Sequence, residues 1–142
     1  MILQADHERL NRLISSIRSA VRLLSELAAL DRKSFLCDEH KMSSAKYNFI
    51  AAIEAIIDIN NHLISRNKLR APDDYADSFA VLCEASVLEN TFADELMKMA
   101  RFRNRLVHLY WDVDPEELHT ILQSRLGDFD KFLSAIGKHI PL

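Results

Sequence analysis

Glycine and proline are scarce in this chain, at two and three residues of 142. That leaves little material for the tight hairpin turns and left-handed backbone positions on which small sheets depend. Cysteine is equally sparse. Cys37 and Cys83 are the only thiols, too few for a disulfide framework, and the chain opens without a basic-then-apolar leader, so a reducing cytoplasm is the expected setting. Long apolar runs are missing too: the most apolar stretch, 49–59, is interrupted by Glu54 and Asp58 and is shorter than the roughly 20 residues of a bilayer span. No membrane association is expected. Nor is there a surplus of positive charge. Lys and Arg number 18 against 21 Asp and Glu, a net charge of -3, so any contact with a polyanion has to come from a local patch. Lys98, Arg101, Arg103 and Arg105 form such a patch.

What the chain has instead is apolar residues at helical spacing, 49% of the total. Leu3, Leu10, Ile14, Ile17, Val21, Leu24 and Ala28 fall on one stripe and predict a long first helix. Ser43 or Ser44 is placed to cap a second. In it Phe49, Ile53, Ile56 and Leu63 form one apolar row and Tyr47, Ile50, Ile57 and Ile64 another, as a central helix requires. Pro72 ends that segment, and a short third helix is expected from Asp73 or Asp74 to about Ala85. Asn90 or Thr91 caps a fourth, with Thr91 and Asp94 at capping-box spacing. Asp114-Pro115-Glu116-Glu117 combines a capping residue, proline at the first helical position and acids in the first turn, and starts a fifth helix expected to run to about Gly137. With no repeat or linker, residues 1–142 are expected to form one domain, an all-α antiparallel bundle of four to five helices.

The fourth helix ends in Arg103-Asn104-Arg105-Leu106-Val107-His108-Leu109-Tyr110. A guanidinium holds phosphate in fixed bidentate geometry and an imidazole exchanges protons near neutral pH, a combination suited to phosphodiester chemistry without a metal. The plainer alternative is that Arg103 pairs with a carboxylate and His108 is a hydrogen-bonded residue at a helix end. Asn104 and His108 share a face, but Arg103 and His108 stand about 140° apart on a regular helix. Their convergence requires a helix that stops near Val107 or a second copy of the motif brought in by a two-fold axis, of which the second is favoured. Tyr110 and Trp111 fit base stacking, a core position or a dimer contact.

Glu54, Asp58 and His62 follow one another at four-residue steps with Asn61 beside them, and ionisable groups in an apolar helix need partners. The favoured explanation is an Asp58–His62 pair and hydrogen bonds to arginines of a neighbouring helix. A di-metal bundle would need more: the only Glu-x-x-His spacing is Glu116 to His119, so no metal or other cofactor is expected. His7, His40 and His139 lie near expected helix ends and carry no functional assignment.

Taken together, these segments resemble the HEPN superfamily, and within it the HepT-like toxin family. That family's signature is an arginine, then four to six residues, a histidine, one residue and a tyrosine, here Arg103, His108 and Tyr110. The stretch 52–62 is similar to the family's second helix, Ala71-Pro72-Asp73-Asp74-Tyr75 to its proline turn, and 99–110 to its active-site segment; the likeness spans roughly residues 40 to 140, with the first helix fitting by pattern only. Where the family often has glycine before the Asn-His pair of the second helix, this chain has Ile59-Asn60-Asn61-His62. The resemblance implies a homodimeric ribonuclease that cuts RNA without a metal, the toxin of a prokaryotic type VII toxin–antitoxin pair whose partner is a minimal nucleotidyltransferase. It implies that Arg103 stabilises phosphate charge, that His108 transfers protons, that Asn104 orients the phosphate or the histidine, and that Tyr110 receives AMP from the antitoxin. Glu54, Asp58, Asn61 and His62 would support that site, with Lys98, Arg101 and Arg105 contacting the RNA backbone. A non-catalytic dimeric helical module that binds a nucleotidyltransferase or a nucleotide is the alternative.

Overall fold

The structure, a computed structural model, describes residues 2–141. Seven α-helices and one short 3-10 turn, with no strand among the described residues, bear out the all-α expectation. They are α1 (His7–Ala28), α2 (Arg32–Leu36), α3 (Glu39–Arg66), α4 (Asp77–Glu84), α5 (Asn90–His108), α6 (Pro115–Ser124) and α7 (Gly127–Gly137), with the 3-10 turn at Tyr110–Asp112. The α1–α3 pair is the most extensive, and α3 also packs against α2, α4, α5 and α6, so it is the central helix its two apolar rows predict. The core is phenylalanine-rich. Phe35, Phe49, Phe79, Phe129 and Phe132 are fully buried, with edge-on contacts between Phe49 and Phe102 (5.7 Å) and between Phe79 and Phe132 (6.2 Å).

Several boundaries differ from the sequence expectation, each for a local reason. Leu3 is buried, but it precedes α1 in a segment whose Leu3 N–H donates to the His139 carbonyl. The helix begins only after Asp6, whose carboxylate accepts the Arg9 N–H at 3.2 Å. Within the helix itself, Leu10, Ile17 and Leu24 are the buried members of the stripe. An additional short helix, α2, forms where Asp31 caps through the Ser34 N–H; Phe35 anchors it, and Arg32 pairs with Glu116 of α6. Ser43 and Ser44 are not caps: α3 starts earlier because the Asp38 carboxylate accepts the N–H groups of His40 and Lys41. Tyr47, expected on an apolar row, is 69% exposed.

The Asp74 carboxylate accepts the Asp77 N–H at 2.7 Å, so the expected turn initiates α4 although the helix proper starts at Asp77. In α5 the capping position is Glu89, without a side-chain bond, while the Asn90 side chain accepts from the Cys83 thiol. The expected fifth helix is two. Ser124 Oγ donates back to the Thr120 carbonyl at 2.6 Å, a bond that bends helices, and the chain turns through Arg125 and Leu126 before Gly127 opens α7. The cap at its start is as read: Asp114 accepts the Glu116 N–H at 3.0 Å, Pro115 takes the first position, and Glu116 and Glu117 stand in the first turn.

No described helix is long and apolar enough to cross a membrane. Cys37 and Cys83 are free thiols.

Candidate active site

Arg103 projects from α5 onto α3. Its Nε (3.1 Å) and Nη2 (2.6 Å) both donate to Oε1 of Glu54, and its Nη1 donates to Oδ1 of Asn104 at 3.0 Å. The Tyr75 ring covers the guanidinium, 5.0 Å from ring centroid to the guanidinium carbon. The arginine side chain is only 13% exposed, against 44% for Glu54. The plainer alternative is therefore correct in its first half, since Arg103 does pair with a carboxylate. Such a pair orients as well as neutralises. A guanidinium has five N–H donors, and the three engaged here leave the others free for an anion while fixing the plane in which they lie. Asn104, bonded through its oxygen, keeps its amide N–H groups for donation.

The turn that carries Tyr75 is set from inside the core. Asn60, fully buried on α3, donates to Ser78 Oγ at 2.9 Å, and Ser78 Oγ donates to the Tyr75 carbonyl at 2.7 Å. Asn61, the neighbour expected to support the site, is exposed instead. A polar residue within an otherwise apolar row was the available signal for Asn60.

His108 is the last residue of α5 and is exposed, its side chain making no hydrogen bond or ion pair to another described residue. Leu109, at φ -129° and ψ 40°, leaves the helical region, and the 3-10 turn follows. The helix therefore does not stop early enough to swing His108 toward Arg103. One faces Glu54 and the other faces solvent, as the 140° separation demands. The second half of the alternative fails, because His108 is not tied down at the helix end.

Tyr110 is half-buried. Lys46 of α3 donates to its carbonyl oxygen at 3.0 Å and lies 4.3 Å from its ring centroid, and Trp111 meets the same ring edge-on at 5.0 Å. Trp111 itself is 89% exposed, which removes the core reading for it.

The remaining polar cluster does not converge on one point. His62 Nε2 accepts the Asp6 N–H at 2.9 Å, so it anchors the segment ahead of α1 and is not paired with Asp58. Burial, then the charges of Arg66 and Arg9, lowers the His62 pKa against the opposing pull of Asp6. Partial burial raises the Asp58 carboxyl, with Arg9 opposing and Glu54 reinforcing. Only Glu54 meets the expectation of an arginine from a neighbouring helix. Among the described residues no three His, Cys, Asp or Glu side chains gather closely enough to hold a metal ion.

Two members of the expected backbone-contacting patch are occupied. Lys98 pairs with Glu95 at 3.2 Å. Arg105 engages Glu117 with both terminal guanidinium nitrogens, which holds the Glu117 carboxyl below its ordinary range. Arg101 is exposed and makes no ion pair among the described residues.

A helical bundle with an arginine, an asparagine and a histidine at the end of one helix, the arginine keyed into its central neighbour, is an all-α domain of the HEPN class. The chain belongs to the HepT-like family: the model of that family, described as Ribonuclease HepT-like, matches residues 17–136. It is 28% identical over 123 residues to the mRNA nuclease HepT of Shewanella oneidensis, covering 87% of this chain and 92% of that protein. With the tRNA nuclease HepT of Aphanizomenon flos-aquae it shares 29% identity over 89 residues, 61% of this chain and 59% of the other. Among solved structures it is similar to the tri-AMPylated Shewanella oneidensis HEPN toxin in complex with MNT antitoxin. There the TM-score is 0.85 and the identity 27%, over 92% of this chain and 97% of that one.

Proposed function

We infer that this protein is a metal-independent endoribonuclease, the toxin of a toxin–antitoxin pair, active as a homodimer and silenced when a nucleotidyltransferase partner adds AMP to Tyr110. The observation that carries the reading is the division of labour on α5: Arg103 is locked in orientation by Glu54, Asn104 and Tyr75, while His108 stands open to solvent. A two-fold axis near the end of α5 brings one chain's arginine to the other chain's histidine and resolves the splay between them.

In such a composite site the RNA 2'-hydroxyl oxygen attacks the adjacent phosphorus. A new oxygen–phosphorus bond forms, and the bond to the 5'-oxygen breaks. An exposed imidazole is suited to take the 2'-hydroxyl proton and to return one to the leaving 5'-oxygen. The free N–H groups of Arg103 and the amide of Asn104 donate to the non-bridging oxygens, where charge builds in the transition state. AMP on Tyr110 adds bulk and a negative phosphodiester two residues from His108, where a second polyanion is then repelled. The related toxin that is AMPylated in complex with its antitoxin supports this assignment.

The test is cleavage of RNA by purified protein in excess chelator, compared with Arg103→Ala and His108→Ala. Wild-type cleavage with a loss of about a hundredfold or more in each variant is expected. Equal cleavage by all three refutes the assignment of the site. Tight binding of the nucleotidyltransferase by a wild-type protein that cuts nothing indicates the non-catalytic module.

A further inference from the structure

Lys46 belongs neither to the motif nor to the polar cluster, yet it makes two contacts with Tyr110, one to its carbonyl oxygen and one to its ring. It differs from the cations of α5. Lys98 and Arg105 are paired with carboxylates, whereas Lys46 makes no ion pair among the described residues. Its ammonium has three donors and spends one on the Tyr110 carbonyl. The charges carried by the turn and its exit, Asp112 and Asp114, are negative. Lys46 lies over the Tyr110 ring, and its flexible four-carbon stem lets its charge follow a phosphate a few ångströms beyond the ring.

We propose that Lys46 binds phosphate for nucleotide addition at Tyr110, holding the acceptor ring in place and pairing with the α-phosphate before and after transfer. The proposal rests on the reading that Tyr110 is the acceptor. In the reaction the phenolic oxygen attacks the α-phosphorus of ATP. The phenol–phosphorus bond forms, the bond to the α,β-bridging oxygen breaks, pyrophosphate leaves, and the phenolic proton passes to a base on the transferase. The product carries one negative charge on the phosphodiester, and Lys46 is the cation positioned to neutralise it.

The experiment compares wild type, Lys46→Met and Lys46→Arg, each incubated with the cognate nucleotidyltransferase, ATP and magnesium. The initial rate of adduct formation at Tyr110 is read by mass spectrometry, and the phosphorus resonance of the purified adduct by NMR. A charge-assisted contact of this kind is worth roughly tenfold or more in rate. The Met variant is expected to lose that much, with a shifted phosphorus resonance, and the Arg variant to recover most of it. RNA cleavage by the unmodified Met variant should match wild type. A Met variant modified at the wild-type rate overturns the proposal. Equal losses in Met and Arg also overturn it, since they would point to local packing and not to charge. If wild type itself takes no nucleotide at Tyr110, the acceptor assignment fails first and this proposal falls with it.

Discussion

Replacing Glu54 with alanine tests whether the arginine of the motif works because it is held. The substitution removes the acceptor for two charge-assisted bonds, at 3.1 and 2.6 Å, from a guanidinium whose side chain is 13% exposed. Bonds to a charged acceptor are worth about 1.5–3 kcal/mol each in sheltered positions, whereas ion pairs between exposed groups are worth about 0–1 kcal/mol. Glu54 is 44% exposed, so water replaces part of what it supplies, and a net loss of about 1–2 kcal/mol in stability follows. For a chain of 142 residues that is a melting temperature lower by about 3–8 °C. Catalysis should suffer more. With Asn104 and the Tyr75 ring as its remaining contacts, the guanidinium wanders from the plane that presents its free N–H groups, and a displacement of about 1 Å costs on the order of a hundredfold. Glu54→Gln keeps a neutral oxygen that accepts the same N–H groups and should fall between. The assay is cleavage of a fluorogenic RNA under single-turnover conditions, beside thermal melts of the same preparations. An alanine variant that melts early but cleaves at the wild-type rate, or faster, refutes the argument that Glu54 orients Arg103 for chemistry.

Other expectations follow from the same geometry. The lowered pKa of His62 means that the unfolded chain takes its proton more readily than the folded one. Its contribution to stability is therefore complete above about pH 6.5 and declines as the pH falls through the folded-state value; melts recorded between about pH 7 and 5 should show this slope, and His62→Gln should flatten it. Trp111, at 89% exposure, touches little of the fold beyond Tyr110. Trp111→Ala should leave subunit stability within about 0.5 kcal/mol while weakening self-association in sedimentation experiments, and an unchanged dimer would remove it from the interface.

The sequence made the parts governed by periodicity and capping chemistry legible. Apolar rows placed α1 and α3, and Asp114-Pro115 marked the start of α6 because proline and a short acid side chain act within one turn. The misses arose where two local signals compete. Asp38 outcompetes Ser43 and Ser44 because a carboxylate in extended backbone engages two N–H groups at once, whereas the Ser44 hydroxyl accepts from the Asn48 side chain within the helix. The break between α6 and α7 depends on a hydroxyl bonding backwards, which pattern alone does not reveal. At the site, spacing disclosed that Arg103 and His108 diverge. It led to the expectation that the Glu54 group bonds an arginine of a neighbouring helix, but it did not disclose that this arginine is Arg103, 49 residues away, that Asn60 sets the turn behind it, or that Lys46 reaches Tyr110. Those are contacts between helices, and a single helix's pattern carries no information about its neighbour's register.

The divergence of Arg103 and His108 on one rigid helix has a genetic consequence. If each reaction centre draws its arginine from one chain and its histidine from the other, each subunit contributes two separable half-sites. A subunit lacking the arginine and a subunit lacking the histidine are each inert alone. Mixed, they form a dimer in which one centre lacks both groups and the other has both. Two dead alleles expressed together should therefore recover up to half of the activity per mixed dimer, and a cell carrying both should again be harmed by a protein that neither allele makes toxic alone.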